Sequence, residues 1–379
     1  MIRTKARTPL RVRTVDARIR RMTAFALPTM WGAVAVTYKF TCPLAQQGAL
    51  GARIVSSAVF FAVGTGLTVV VRRSLLRELA RVGEVAQAAQ RALLRPPPPR
   101  LDGLAVAADQ LSAHRGADIG GDLYEAVATE RGVRIVMGDV RGHGLAAIGT
   151  VAAVLGSFRE AAHDEAELGG VLRRLERALH RYQRRRSTEQ CDGGGGGGAG
   201  PDAGFDEEFV TVLLLEIRPD GSVYALNCGH PWPYRLGRGI ERIGGGDPLP
   251  PLGLLPLPER LPVLYCGRIL PAEMLVLHTD GVEDARDAGG RFFPLRAALA
   301  DAAAALPAPP SRPQTVSRSQ AVEPLAPESL VRTLRGALLR HTGGRPGDDM
   351  ALLVVRNDRH RVPRQGGGGA VKSRAWTVS

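Results

Sequence analysis

The sequence predicts an α+β fold, an antiparallel β-sandwich faced by helices. Between residues 101 and 356 about eight stretches have the composition of strands, and the helical stretches come in pairs. No regular strand–helix–strand alternation is present. Parallel sheets need that alternation, because a crossover of a dozen or more residues joins each pair of parallel strands. The pattern therefore favours antiparallel pairing.

Short apolar or β-branched runs bounded by turn residues identify the strands. They lie at residues 104–111, 123–129, 133–140, 209–217, 222–227, 261–266, 273–279 and 350–355. Longer runs predict helices at 143–163, 167–187 and 328–341. Two biased segments, the Gly-rich 188–206 and the Pro-rich 307–327, are predicted to be disordered inserts, and 357–379 a disordered tail.

The positive charge of the chain is concentrated at its N-terminal end. Residues 1–100 hold 17 of the 50 Lys and Arg residues but only three acids, Asp16, Glu78 and Glu84. The remaining residues are close to neutral, so the high pI is poor evidence for a nucleic-acid groove, and we expect no nucleic-acid partner. The four cysteines lack metal-site spacing and form no disulfide pattern.

The N-terminal 71 residues have the composition of a membrane hairpin. Residues 1–21 form a basic arm, and two uncharged stretches follow at 22–38 and 54–71, each just long enough to span about 30 Å of hydrocarbon. The arginines after residue 71 place both ends on the cytoplasmic side. This predicts a multi-pass protein of the inner (plasma) membrane with a cytoplasmic catalytic domain. One true span plus a buried or interfacial segment is the alternative.

Residues 72–100 are predicted to link this hairpin to the catalytic domain. Apolar residues from Leu75 to Leu93 follow the 4-3 spacing of a coiled coil, but for fewer than three heptads. Residues 75–93 therefore form either a homodimer stalk or an amphipathic helix that packs on its own domain. Pro96–Pro99 end any helix, and the domain is expected to cover residues 101–356.

The stretch 133–144 is the best candidate for the working centre. A short buried strand ends at Asp139, and Gly142 and Gly144 follow before a helical run. Glycines there let the backbone approach a bound ion or phosphate. Residues 142–147 also fit G-x-G-x-x-A, a dinucleotide-binding pattern. That alternative needs alternating parallel units, which the rest of the chain lacks.

Four acidic motifs stand at strand ends or tight turns, and each Asp either adjoins a Gly or opens a strand. Grouped at one sheet edge, four carboxylates without matching Lys or Arg would repel one another. A divalent cation removes that penalty, and oxygen ligands suit Mg²⁺ or Mn²⁺. The four residues are Asp122, Asp139, Asp280 and Asp348.

Five motifs in order resemble the SpoIIE branch of the PPM metal-dependent serine/threonine phosphatases. They are Gly-Gly-Asp-Leu-Tyr-Glu (120–125), Gly-Asp-Val-Arg-Gly-His-Gly (138–144), Asn-Cys-Gly-His-Pro (227–231), Thr-Asp-Gly-Val (279–282) and Asp-Asp-Met-Ala-Leu (348–352). The resemblance spans about 101–356. It implies an αββα sandwich, that is, two antiparallel sheets flanked by helices, with two Mn²⁺ or Mg²⁺ ions at one end.

The resemblance also implies a role for each acid. Asp139 would bridge the two metals, with the main-chain carbonyl of Val140 as a further ligand. Asp122 would serve one metal, and Asp280 with Asp348 the other. Asp349 would lie behind these ligands, because relatives often have Asn there. Glu125 departs from the Asp common in the branch and is expected to alter the water network at one metal.

The implied reaction is hydrolysis by a water shared between the two cations, without a covalent intermediate. Three further residues have weaker expected roles. His143 is a candidate proton donor to the leaving oxygen, Arg141 a candidate phosphate ligand, and His230 a structural residue.

Two functions from different classes remain open. The first is a membrane-anchored phosphatase that acts on phosphoserine of a regulatory protein such as an anti-sigma-factor antagonist. The second is a catalytically weak, phosphatase-like membrane scaffold that binds a regulatory partner. A nucleotide-binding oxidoreductase is a third reading, which requires nicotinamide binding and no Mn²⁺.

Overall fold

The computed structural model describes residues 30–34, 37–38, 41, 50–112, 120–142, 145–192, 209–304 and 325–359. The chain divides into two compact units, Met1–Val82 and Gly83–Ser379. The long helix α1 (Leu50–Leu93) begins in the first unit. There its Phe60 ring lies 5.4 Å from the ring of Trp31. The Trp31 indole N–H donates to the Phe60 carbonyl at 3.3 Å, which fastens the two segments together.

The two predicted membrane spans are not supported. Within the described ranges, no helix is both long enough and apolar enough to cross a membrane. Much of the first predicted span, 22–38, lies outside those ranges, whereas α1 covers the second, 54–71. The membrane location stays a prediction from the sequence.

The helix predicted at 75–93 is present as the second half of α1, which ends at Leu93, before the prolines. Leu94 is buried in the core of the second unit, and Arg159 donates to the Leu93 carbonyl at 3.0 Å. The end of α1 thus packs on its own domain, as one of the two alternatives for this segment requires. The homodimer through 75–93 stays a prediction.

The second unit contains two antiparallel sheets. The first has the strand order β1-β2-β11-β10-β7-β8 and the second β3-β4-β5-β6-β9. The first sheet consists of β1 (Arg100–Leu101), β2 (Leu104–Leu111), β7 (Tyr234–Leu236), β8 (Ile240–Arg242), β10 (Met274–His278) and β11 (Met350–Asn357). The second consists of β3 (Asp122–Thr129), β4 (Gly132–Val140), β5 (Val210–Ile217), β6 (Ser222–Cys228) and β9 (Leu264–Arg268).

Helices cover the outer face of each sheet. α2 (Leu145–Asp164) and α3 (Leu168–Asp192) share a core with the second sheet. α5 (Leu295–Ala304) and α6 (Pro327–His341) share one with the first sheet, and the short α4 (Asp280–Asp284) follows β10. A third core lies between the sheets. The predicted architecture of antiparallel sheets with flanking helices is confirmed.

Alternation along the strands decides which side chains face the space between the sheets. On β4, Ile135 and Met137 belong to the core between the sheets, whereas Val136 and Val140 belong to the core under α2 and α3. Successive side chains of a strand point to opposite faces, so Asp139 shares the inward face of Met137. By the same count Asp122 on β3 shares the face of Tyr124.

Several boundaries differ from the prediction. α3 runs to Asp192, so residues 188–192 of the predicted Gly-rich insert are helical. Pro327, predicted to end the Pro-rich insert, opens α6 at a position where its missing N–H is not needed. The predicted tail begins too early, because Asn357 is still in β11 and Arg359 donates to the Asp102 carboxylate at 2.6 Å.

Candidate metal centre and active site

Asp122 and Asp139 lie side by side at one end of the second sheet. They are direct partners in the antiparallel β3–β4 ladder. Residues opposite one another in such a ladder have Cα atoms about 4.5–5.5 Å apart and side chains on the same face. Asp122 is 2% exposed. Two like charges therefore meet at a largely buried sheet end, an arrangement that the ladder itself disfavours.

The remaining acids come from two adjacent loops of the first sheet. Asp280 opens α4 directly after β10, and Asp348 and Asp349 precede β11. β10 and β11 are antiparallel neighbours in which His278 pairs with Leu352, so both loops lie at the same sheet end. The fold thus brings acids from both sheets to one end of the sandwich.

Three glycines make this close approach possible. A Cβ atom on Gly120 would lie 1.7 Å from the Asp349 carboxylate, and one on Gly281 would lie 2.0 Å from the Asp349 carbonyl oxygen. A Cβ on Gly121 would lie 2.2 Å from the Val140 carbonyl oxygen and 2.8 Å from the Asp139 carboxylate. These glycines of two motifs are therefore needed for packing around the acids.

Two threonines contact the paired acids, one at the carboxylate of Asp122 and the other at the backbone of Asp139. The Thr279 hydroxyl donates to Asp122 Oδ2 at 3.2 Å and accepts the Ala351 N–H at 2.9 Å, which joins the two sheets at the site. Thr211 on β5 accepts the Asp139 backbone N–H at 3.1 Å. The sequence analysis missed both residues, although Thr279 stands next to Asp280 in its motif.

His230 supports Thr211 from behind. Its Nδ1 lies 3.0 Å from the Thr211 hydroxyl, and the Asn227 side chain bonds to both the N–H and the carbonyl of His230. Burial and the neighbouring His278 lower the pKa of His230 to about 3, so the imidazole is neutral. This places His230 behind the acids rather than among them.

Mutual repulsion and burial raise the pKa values of the clustered acids. Burial, then Asp280, Asp348 and Asp349, raise the pKa of Asp139 to about 7. Burial, then Asp139, raise the pKa of Asp122 well above its usual range. Burial is also the main cause of a raised pKa at Asp280. In the part of the chain that the structure describes, Asp122, Asp139, Asp280 and Asp348 form no ion pair with Lys, Arg or His.

The chemistry of this donor set fits a divalent cation, but its arrangement does not yet form a ligand shell. Uncompensated carboxylates and a carbonyl oxygen are the donors that Mg²⁺ and Mn²⁺ prefer. Among the described residues, however, no group of three or more His, Cys, Asp or Glu is placed so that it could hold one ion. We therefore treat the ligand roles as a proposal.

Comparison with known families decides what this arrangement belongs to. The model of the family described as stage II sporulation protein E (SpoIIE) matches residues 129–358, more than half of the chain. The chain belongs to the SpoIIE family. Family membership supports the prediction of a PPM-type protein-serine/threonine phosphatase. A comparison with curated proteins gave no match.

Three solved structures resemble this chain. The RsbU and RsbW domains of Rv1364c from Mycobacterium tuberculosis match at 22% identity and a TM-score of 0.48, covering 69% of this chain and 63% of that one. The SiaA-PP2C domain of Pseudomonas aeruginosa matches at 15% identity and a TM-score of 0.48, covering 75% of this chain and 97% of that one. The PP2C phosphatase domain and a regulatory-domain fragment of SpoIIE from Bacillus subtilis match at 13% identity and a TM-score of 0.44, covering 67% of this chain and 62% of that one. At these scores the family match carries the assignment.

The roles predicted for three other residues have different outcomes. Arg141, two residues after Asp139, is exposed. Its guanidinium lies 5.1 Å from the centre of the Phe209 ring. His143 lies outside the described residues. Both oxygens of Glu125 accept from Arg159 Nε at 2.9 Å, on the face of β3 opposite to Asp122. Its expected effect on water at the metal is therefore not supported.

Proposed function

We propose that this chain hydrolyses phosphoserine or phosphothreonine on a regulatory protein, with Asp122, Asp139, the Val140 carbonyl, Asp280 and Asp348 as the ligands of two Mn²⁺ or Mg²⁺ ions. Asp349 lies behind them and helps to hold the loops together. The observation that carries the proposal is the direct cross-strand pairing of Asp122 with Asp139 at a sheet end where other acids converge. Such a concentration of negative charge is relieved either by protonation or by bound cations.

Two bound ions would lower the pKa of a shared water and neutralise charge on the phosphoryl oxygens. The chain's own contribution is to hold the carboxylates in place. The Thr279 hydroxyl orients Asp122, and the Thr211 hydroxyl fixes the backbone at Asp139. A Cβ atom on Gly121 would meet both the Val140 carbonyl oxygen and the Asp139 carboxylate, so this carbonyl lies beside the acids. Arg141, exposed beside this group, is suited to hold a phosphate oxygen.

The proposed target is a phosphorylated bacterial regulatory protein, such as an anti-sigma-factor antagonist. Family membership and the RsbU and RsbW domains found together in one solved structure support this class of target. This chain spans 63% of the length of the first of these solved chains. The target is therefore a proposal that rests on the family.

The decisive experiment compares full-length wild type with Asp139→Asn, using p-nitrophenyl phosphate and a phosphoserine protein with and without Mn²⁺. We expect Mn²⁺-dependent hydrolysis by wild type and a loss of more than about 100-fold in the variant, because even partners behind metal ligands are worth about 10–100-fold. Asp301→Asn, an exposed acid on α5, is the matched control and should match wild type. If wild type binds its partner but shows no metal-dependent turnover, the scaffold function replaces the enzyme.

A further inference from the structure

A surface groove of about 680 Å³ lies beside α4, and we call it the α4–α5 groove. Its volume lies within the range of pockets that enclose a drug-sized molecule, so it accommodates a short peptide segment. It is lined by exposed alanines of α5, by aromatic side chains, and by one acid and one arginine. These residues are Ala297, Ala300, Tyr234, Phe292, Glu283 and Arg296.

The groove begins one helical turn from the proposed metal centre. Asp280 and Glu283 are three residues apart on α4. Residues at this spacing are neighbours on a helix surface, with Cβ atoms about 5–6 Å apart. An extended peptide advances about 3.3 Å per residue, so two to four residues bridge from a phosphoserine at the acids to this groove. Through α4 the groove is therefore adjacent to Asp280, one of the proposed metal ligands.

Phe292 is presented to solvent by a rigid loop. The Asp287 carboxylate accepts the backbone N–H groups of Gly289 and Arg291 at 2.8 and 2.9 Å, which closes the turn. The Phe293 N–H then donates to the Ala285 carbonyl at 2.8 Å. Phe292 nevertheless remains 52% exposed. A large aromatic ring held in place but left half uncovered is typical of a binding surface.

The polar groups at the groove are already partly engaged. The Tyr234 hydroxyl donates to Glu283 at 3.1 Å, and the Tyr234 ring stacks on buried His278 at a centroid distance of 5.8 Å. Arg296 donates to the Ile240 carbonyl at 3.5 Å. The Arg286 guanidinium lies over the Phe292 ring at 4.2 Å from its centre. The apolar surface that remains for a ligand is therefore made by the alanines and by the uncovered part of Phe292.

We propose that the α4–α5 groove is a substrate-recognition site that binds a bulky apolar side chain of the phosphoprotein two to four residues from its phosphoserine. The proposal rests on the proposed phosphatase function and adds a specificity determinant to it. The position of Glu283 one helical turn from Asp280 favours the substrate as occupant over a second copy of the chain. Seating an apolar residue against Phe292 stabilises the bound peptide but leaves the phosphoryl chemistry to the acids.

The test uses the full-length chain and phosphoserine peptides in which one phenylalanine is moved along an alanine–glycine background. Ala300→Trp fills the groove from an exposed helix position, and Ala304→Trp is the matched control on the same helix, outside the groove. In wild type we expect kcat/KM to rise roughly tenfold when the phenylalanine is two to four residues from the phosphoserine. In Ala300→Trp this preference should disappear through KM, while Ala304→Trp retains it.

Three results overturn the proposal: a wild type indifferent to the phenylalanine position, an Ala300→Trp variant with undiminished preference, or a dimer that Ala300→Trp dissociates while the preference persists. The last would assign the groove to a second copy. Fluorescence anisotropy of the same peptides measures binding, so it separates failure of the groove proposal from failure of the proposed phosphatase function. If no protein hydrolyses p-nitrophenyl phosphate with Mn²⁺, position-dependent binding lost in Ala300→Trp still supports the groove and refutes only the enzyme.

Discussion

The two ends of β4 carry two cross-strand pairs of charged residues with opposite character. At one end Arg134 pairs with Glu216 of β5, and at the other Asp139 pairs with Asp122 of β3. Arg134 is completely buried, yet it donates to Glu216 at 2.8 and 3.0 Å and to the Ala162 carbonyl at 3.0 Å. Asp139 and Asp122 have no cation to match them among the described residues.

The contrast shows where the fold supplies its own partners and where it leaves charge unmatched. Arg134 also donates to the carbonyls of Glu165 and Ala166 near the end of α2, so one side chain joins β4, β5 and the helix end. At the carboxylate end the Thr279 hydroxyl donates to Asp122 and the Val140 backbone N–H donates to Asp139, and both donors are neutral. A buried charge that keeps its partners is tolerated by the fold and costly to unpair, whereas a cluster of buried charges left unmatched is a candidate ligand site.

The largest effect on stability is expected from breaking the matched pair. Arg134→Met should lower the free energy of unfolding by about 3–5 kcal/mol, because buried Glu216 loses its buried partner and keeps only the half-exposed Arg218. Urea unfolding measures the loss. Arg218→Met is the matched control, since Arg218 also pairs with Glu216 at 3.0 Å but is half exposed, and should cost less than about 1 kcal/mol.

A second variant distinguishes loss of charge pairing from loss of packing. Arg134→Met combined with Glu216→Leu removes both charges and should recover part of the stability. Equal destabilisation in the single and double variants would show that the hydrogen bonds of Arg134 to the α2 carbonyls matter more than the ion pair.

The next effect is a pH dependence that belongs to the unmatched pair. Asp139 has a folded pKa of about 7, above its unfolded value, so the folded state binds the extra proton between about pH 4 and 7. Wild-type stability from this group is therefore lost as the pH rises through that window. In metal-free protein, Asp139→Asn should have a higher Tm than wild type, by roughly 5 °C at pH 8.

The difference between the two proteins is the informative quantity, because buried His230 and His278 also titrate with the fold but contribute equally to both. That difference should grow from pH 4 to 7 and then level off. Added Mn²⁺ at pH 8 should raise the Tm of wild type more than that of the variant. A pH-independent difference would refute the raised pKa of Asp139.

The sequence predicted most of this architecture because the long strands and helices have clear periodicity. β2 to β6, β9 to β11, α2, α3 and α6 were all expected near their observed positions. β7 and β8 have three residues each, too few to show an alternation of period two. α5 was missed despite buried Leu295, Leu299 and Ala302 at helical spacing.

The candidate site was only partly predictable, since the acids stand in recognisable motifs but their supports do not. Thr211 lies 72 residues from Asp139 in the sequence, and only the β4–β5 ladder brings it to the Asp139 N–H. Likewise, no local pattern shows that Thr279 reaches across to Asp122, 157 residues away. Whether the acids ligate two ions stays a prediction.

The smallest effect is expected from the single hydroxyl that links the two sheets at the site. Thr279→Val keeps the shape of this fully buried side chain but leaves the Ala351 N–H and Asp122 without their partner. We expect a loss of about 1–3 kcal/mol in the free energy of unfolding and about 10-fold or more in Mn²⁺ affinity. Thr279→Ser retains the hydroxyl and should restore the affinity, measured by Mn²⁺ titration calorimetry. If Ser and Val weaken Mn²⁺ binding equally, packing at this position rather than the bond to Asp122 sets the position of the carboxylate.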